Sequence, residues 1–192
     1  MGRSAWIWMV TRKNWHPPFK ELILVNESFQ KIYSSKVYEI RKYSESLAIQ
    51  TPTSSQNSGF RKLFDYISGN NRIKKKIQMT TPVTQMENNG VMTMQFYLPS
   101  KLNVSNAPEP SRSDIELVVI EGGYYAVTKY SGRATDENFI KHRNLLENQL
   151  GNDNISVLST SIRATYNGPF TLPMFRRNEV MFKIDYKTNE WL

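Results

Sequence analysis

Val37-Tyr38-Glu39-Ile40-Arg41-Lys42-Tyr43-Ser44 and Tyr124-Tyr125-Ala126-Val127-Thr128-Lys129-Tyr130-Ser131 read as two strands of one kind. Both are rich in β-branched and aromatic residues with polar ones interleaved. Each stands ahead of a helical segment, and each closes on the weak echo Lys-Tyr-Ser. After the first comes a polar loop, residues 51–58, able to cap a helix. Phe60, Leu63, Phe64 and Ile67 then recur at i, i+3, i+4 and i+7, a spacing that places them on one helix face. Gly69-Asn70 supplies a left-handed stop. After the second strand a helix opens at Thr135, with Asp136 and Glu137 in the first turn where negative charge is favoured. It runs through Phe139, Leu146 and Leu150 to Gly151.

A strand pair follows each helix. In the first part Ile77 to Val83 reads as a strand, Asn88-Asn89-Gly90 as a hairpin turn, and Met92, Met94, Phe96 and Leu98 as the apolar positions of a half-buried strand. In the second part the strands fall near Ser161–Tyr166 and Glu179–Ile184, with Gly168-Pro169 and Leu172-Pro173 between them barring a continuous strand. Ile115 to Ile120 adds a short strand. The pattern is a strand–helix–hairpin unit used twice, in halves of about 37–99 and 115–185. One such unit leaves a sheet face bare. Two can pair their sheets into a closed or nearly closed barrel with the helices outside or over a mouth, an α+β fold. Residues 1–30 show no clear period and form an unassigned N-terminal arm; residues 31–192 fit a single domain.

The 192 residues carry 25 Lys plus Arg against 17 Asp plus Glu, a net charge of +8, with 39% hydrophobic residues. This is a globular composition. The charge is uneven. Residues 1–80 hold 14 basic and 5 acidic groups and the remainder 11 and 12, so the whole excess lies in the first part. It is densest at Arg72, Lys74, Lys75 and Lys76, directly after the first helix. Such a run attracts phosphates, acidic surfaces or ligand carboxylates, or is simply a solvated loop. It is too short, and too poor in interleaved aromatics, to read as a nucleic-acid surface.

The chain has no cysteine, which excludes disulfides, thiolate nucleophiles, cysteine zinc sites and covalent haem attachment. His16 lies in the arm. His142, on the apolar stripe of the second helix, reads as a packed residue at a core edge. No nucleophile elbow, phosphate-binding glycine loop or His-Glu-x-x-His occurs. Glu179 shares a face with Lys183 and Asp185 and reads as a solvent-side carboxylate. No stretch approaches a membrane span, and Ala5–Val10 is too short for a signal-peptide core, so a soluble, cytoplasmic protein is expected. What the residues do offer is an apolar helix face ending in cations, with methionines at 79, 86, 92, 94, 174 and 181 as adaptable surface. A flat aromatic dianion suits that pairing; the alternative is a helix whose stripe packs wholly against the sheet.

Lys76-Ile77-Gln78-Met79-Thr80-Thr81-Pro82-Val83-Thr84 resembles the signature of the SOUL haem-binding protein family, as does Phe64 to Asn71 before it. Tyr38-Glu39-Ile40-Arg41 resembles the family's opening strand. Tyr166-Asn167-Gly168-Pro169-Phe170-Thr171-Leu172-Pro173 with Arg176 to Val180 resembles its closing motif. The resemblance implies a distorted antiparallel barrel with two flanking helices. It also implies non-covalent binding of haem or a related tetrapyrrole; a monomer or weak homo-oligomer is expected. The site it implies combines Phe60, Leu63, Phe64, Ile67 and Met79 with Arg72, Lys74, Lys75 and Lys76 on the propionates. Where other members carry a histidine proposed as axial ligand, this chain has Lys42, and an ammonium is a poor iron ligand at neutral pH. A competing expectation comes from the related gyrase-inhibitor-like effector-binding fold, some of whose relatives are hydrolases. There the barrel pocket takes bulky aromatic or cationic molecules, and Glu179 and Tyr166 would be its polar groups. A protein-interaction module is the third reading.

Overall fold

The computed structural model describes residues 29–168 and 170–187; His16 and nearly all of the N-terminal arm lie outside them. The described chain runs β1 (Phe29–Ser34), β2 (Glu39–Tyr43), β3 (Ser46–Pro52), α1 (Gln56–Ile67), β4 (Val83–Asn88) and β5 (Val91–Tyr97). It continues through β6 (Glu116–Ile120), β7 (Gly123–Tyr130), α2 (Asp136–Asn152), β8 (Ser156–Val157), β9 (Ile162–Thr165) and β10 (Asn178–Asp185).

The strands form one antiparallel sheet in the order β1-β2-β7-β10-β9-β4-β5-β3-β6, with β8 paired to β10 beside this path. Its two ends do not pair with each other, so the sheet is a curled half-barrel, the open version of the distorted barrel expected. The doubled unit is plain in the topology. β3-α1-β4-β5 in the first half corresponds to β7-α2-β9-β10 in the second, and β4 meets β9 at the centre with Val83 opposite Thr165 and Met86 opposite Ile162. Each half lends its leading strand to the other: β2 pairs with β7, and β6 with β3.

This exchange corrects the local echo. The counterpart of β7 is β3, not β2, and the likeness of Lys42-Tyr43-Ser44 to Lys129-Tyr130-Ser131 joins strands that are neighbours in the sheet, not equivalents. The strand expected over Ile77–Val83 is also displaced. Residues 77–82 are irregular and the ladder begins at Val83. Pro82 has no N–H to give, the Ile77 N–H is taken by the Ile67 carbonyl at 2.8 Å, and the Thr80 hydroxyl bonds the Tyr97 carbonyl. The hairpin at Asn89-Gly90 has φ of 51° and 78°, the two positive values of a type I′ turn.

Residues directly opposed across ladders share a sheet face, which sorts the interior into two sides. On one side lie both helices. Ser55 caps α1 through its side chain, and Thr135 caps α2. Leu63, Tyr66 and Ile67 of α1 pack with Ile49, Met94 and Phe96 of the sheet. Leu146 and Leu150 of α2 pack with Ile40, Ala126, Val180 and Phe182. The opposite, concave side holds a third cluster around Tyr125, Val127, Ile162, Ala164, Tyr166 and Met181, flanked by Tyr43 and Met86.

Candidate functional site

The structure divides the nine residues expected at the ligand face. Leu63 and Ile67 are sealed in the core, 0% and 4% exposed, so they support the face from beneath without reaching its surface. Phe60, Phe64 and Met79 are only half-buried and pack on the rim of the same cluster. Phe60 stacks on Phe64 with ring centres 5.8 Å apart and planes 13° apart, and meets Phe96 edge-on at 5.2 Å. The helix thus keeps two parallel rings at its margin.

The basic run is a braced loop. Gly69 takes φ of 113° after the last turn, where a left-handed residue ends the helix. Asn71 then ties the loop down: its amide donates to the Tyr66 and Lys75 carbonyls, and its carbonyl oxygen accepts from the Lys75 N–H at 3.0 Å. Lys74 sits at φ of 53°. Lys74, Lys75 and Lys76 are exposed. Arg72 is held 3.1 Å from Glu109 in an open surface pair, and so offers less charge to a ligand than the three lysines. Because Ile77 bonds Ile67, Lys76 and Met79 flank the last turn of α1.

The polar residues considered for a pocket are placed otherwise. Glu179 is 0% exposed and therefore not a solvent-side carboxylate. Arg41, itself fully buried, donates to both of its oxygens at 3.1 Å; Arg177 donates twice more at 2.8 and 3.0 Å, and the Tyr166 hydroxyl at 2.7 Å. Burial alone would lower the Arg41 pKa, but the bonds and charge of Glu179 outweigh it and raise it. With five donors spent on it, Glu179 is a structural counter-ion and no anchor for a cationic guest. His142 stacks on Tyr130 at 4.3 Å and its Nδ1–H donates to the Asn138 carbonyl at 2.7 Å, the packed role expected of it. Lys42 is exposed, its ammonium 5.6 Å over the Tyr124 ring.

The barrel pocket expected from the related effector-binding fold has a counterpart in a cavity of about 1050 Å³ on the concave sheet side, but Glu179 and Tyr166 are not among the residues that line it. Its wall includes Tyr43, Met86, Tyr125, Ile162 and Met181. Of these the sequence analysis names only the two methionines as adaptable surface, and Tyr43 and Tyr125 only as strand residues. The signal was present in β7 and β10, where Tyr125 and Val127, and Met181 and Lys183, alternate with helix-facing residues. Among the described residues no helix is long and apolar enough to cross a membrane, and no His, Cys, Asp and Glu cluster could hold a metal ion.

Comparison with known proteins agrees with this architecture. A family profile described as SOUL heme-binding protein matches residues 26–183. Heme-binding protein 2 of Mus musculus is 31% identical over 162 residues, which cover 74% of this chain and 76% of the mouse protein. Among solved structures, an uncharacterized conserved protein from Listeria innocua superposes with a TM-score of 0.58 at 11% identity, over 79% of this chain and 94% of that one. A hydrolase from the same organism gives 0.53 at 9% identity, over 80% and 94%. At such identities the likeness is one of fold alone. The profile match, which spans both halves of the doubled unit from before β1 into β10, places this chain in the SOUL heme-binding protein family.

Proposed function

We propose that the chain binds haem or a related tetrapyrrole non-covalently, as a non-enzymatic carrier or buffer, on the half-exposed margin of α1. The observation that carries the proposal is the stacked Phe60–Phe64 pair, left at the surface on the helix whose last turn is bonded to the braced lysine loop. Phe60, Phe64 and Met79 would take the macrocycle, with Leu63 and Ile67 stiffening the helix beneath. Lys74, Lys75 and Lys76, helped by Arg72, would take the carboxylates as charge-assisted partners. Haem would bring its iron, but His142, the histidine among the described residues, is committed on α2. The affinity therefore rests on disc and carboxylates. Family membership and the name of the mouse relative support the ligand class. We place this activity in the cytoplasm, in a monomer or weak homo-oligomer.

Titration of the apo-protein with haemin and with iron-free protoporphyrin IX tests the proposal. Both should give saturable changes in the Soret region with similar affinities, since the site supplies no strong iron ligand. Reversing Lys74, Lys75 and Lys76 to Glu should weaken both about tenfold or more, with a reduced dependence on salt. A Soret change that fails to saturate, or one indifferent to the triple reversal, overturns the proposal.

A further inference from the structure

We propose that the concave face of the sheet is a second ligand site, selective for an uncharged, bulky aromatic molecule. It is independent of the α1 margin. Its aromatic wall lies on the opposite face of the sheet, since Met181 and Tyr125 point to the side away from the residues that meet the helices, while Leu47, Leu98 and Leu102 of the α1 core cluster also border the cavity.

Three observations carry this. The first is size. About 1050 Å³ of cleft stands at the top of the roughly 300–1,000 Å³ of small-molecule sites. The second is the wall. Tyr43 and Tyr125 meet edge to face at 5.4 Å, and Met86, Ile162 and Met181 complete an aromatic and thioether surface. Aromatic rings seat well against both kinds of group.

The third is charge. The charged residues of the wall are Glu45, Glu121 and Lys183. Glu45 is exposed at the rim, and Lys183 is bound to Glu121 at 2.8 Å, with Glu121 82% exposed. Of the deeper polar groups the Thr81 hydroxyl is uncharged and without a partner among the described residues, and others are spent internally. Gln95 donates to Gln50 at 3.0 Å and accepts from Thr84 at 3.2 Å, and Thr80 bonds the Tyr97 carbonyl. Glu179 lies on this same sheet face but is closed off and matched by Arg41 and Arg177. A lipophilic cation therefore finds no buried anion here, and a dicarboxylate finds no free cation. Moving an ion into such a space costs hydration with no repayment, whereas a neutral ring system gains the full benefit of leaving water.

The test uses the full chain and the neutral fluorophore N-phenyl-1-naphthylamine, with tetraphenylphosphonium and protoporphyrin IX as competitors. Saturable one-site emission enhancement is expected, with neither competitor displacing the probe at equal concentration. Met86→Trp, at a half-buried position on the cavity wall, should weaken the probe about tenfold and leave porphyrin titration unchanged. Met181→Trp is the second filling variant, read the same way once circular dichroism shows it folded. Phe64→Ala should do the reverse, weakening porphyrin and sparing the probe. The proposal falls if the fluorophore does not bind saturably, if folded Met86→Trp and Met181→Trp bind it unchanged, or if tetraphenylphosphonium or one equivalent of porphyrin expels it. Loss of porphyrin binding alone would bear only on the α1 margin.

Discussion

Two buried groups show how differently a polar atom behaves with and without partners. Glu179 and Arg41 are both shut from solvent and answer each other through two hydrogen bonds. Glu179→Gln keeps the shape but leaves the buried guanidinium short of a counter-charge. A loss of about 3–5 kcal/mol is expected, seen as a fall in Tm on the order of 10 °C. Thr81 is the opposite case: its buried hydroxyl has no hydrogen-bond partner among the described residues. Thr81→Val removes an unpaid desolvation cost and should leave stability unchanged or raise it by about 1 kcal/mol, as measured by urea midpoint. Glu39, half out of the same ion cluster, sets the acid limb. Burial pushes its carboxyl up, but hydrogen bonds from Lys31, Arg41 and Lys129 prevail and hold it at about 2. The folded value is thus below the roughly 4.3 of an unfolded glutamate. Its contribution is present in full above that value and is lost as pH falls toward 2. Urea midpoints at pH 5, 4 and 3 should fall steadily in the native protein, and less steeply in Glu39→Gln.

Within α1 the same periodicity yields residues of different function, and mutation should separate them. Leu63→Ala opens a cavity in the core and should cost about 2–5 kcal/mol, with porphyrin affinity little changed wherever the variant is folded. Phe64→Ala, at the half-buried margin, should cost less stability and more affinity. Thermal melts and Soret titrations of the two variants check this pairing, and an affinity loss in folded Leu63→Ala equal to that of Phe64→Ala would contradict it. The contrast also shows where the sequence could and could not be read. Spacing at i, i+3, i+4 and i+7 identifies a face, but not which of its members end at the rim, because that depends on how far the sheet extends beneath each one. The hairpin at Asn89-Gly90 and the caps at Ser55 and Thr135 were legible because their chemistry is local. β3 was not. Leu47, Ala48 and Ile49 are all buried, so the strand shows no alternation, and a short apolar run of that kind carries no period of its own. The wall of the cavity was illegible for a different reason: it draws on β4, β7, β9 and β10, strands spread along the sequence that are brought together by long-range ladders, β4 joining the rest only through its pairing with β9 between the halves.

Those pairings make the two halves interdependent although each repeats the same plan. The second half borrows β2 as the neighbour of β7, the first borrows β6 as the neighbour of β3, and β4 against β9 joins them at the centre. Cut between the halves, a fragment of residues 115–187 would present β7 and β9 as two bare edges and would carry β6 with no strand to pair. Its α2 core would also lose Ile40 of β2 and Tyr38 just before that strand, which both pack there. Unpaired edges promote association rather than folding, and a core stripped of one wall cannot offset the entropy of ordering the chain. The fragment is therefore expected to be unfolded or aggregated by far-UV circular dichroism. The intact chain should unfold in one transition, with coincident urea curves from circular dichroism and tyrosine emission. Co-expression of residues 29–114 with 115–187 should restore the folded signal, since the missing strands then return in trans. A fragment of 115–187 that melts cooperatively on its own would show that the exchanged strands are decoration, and that each unit closes its own core.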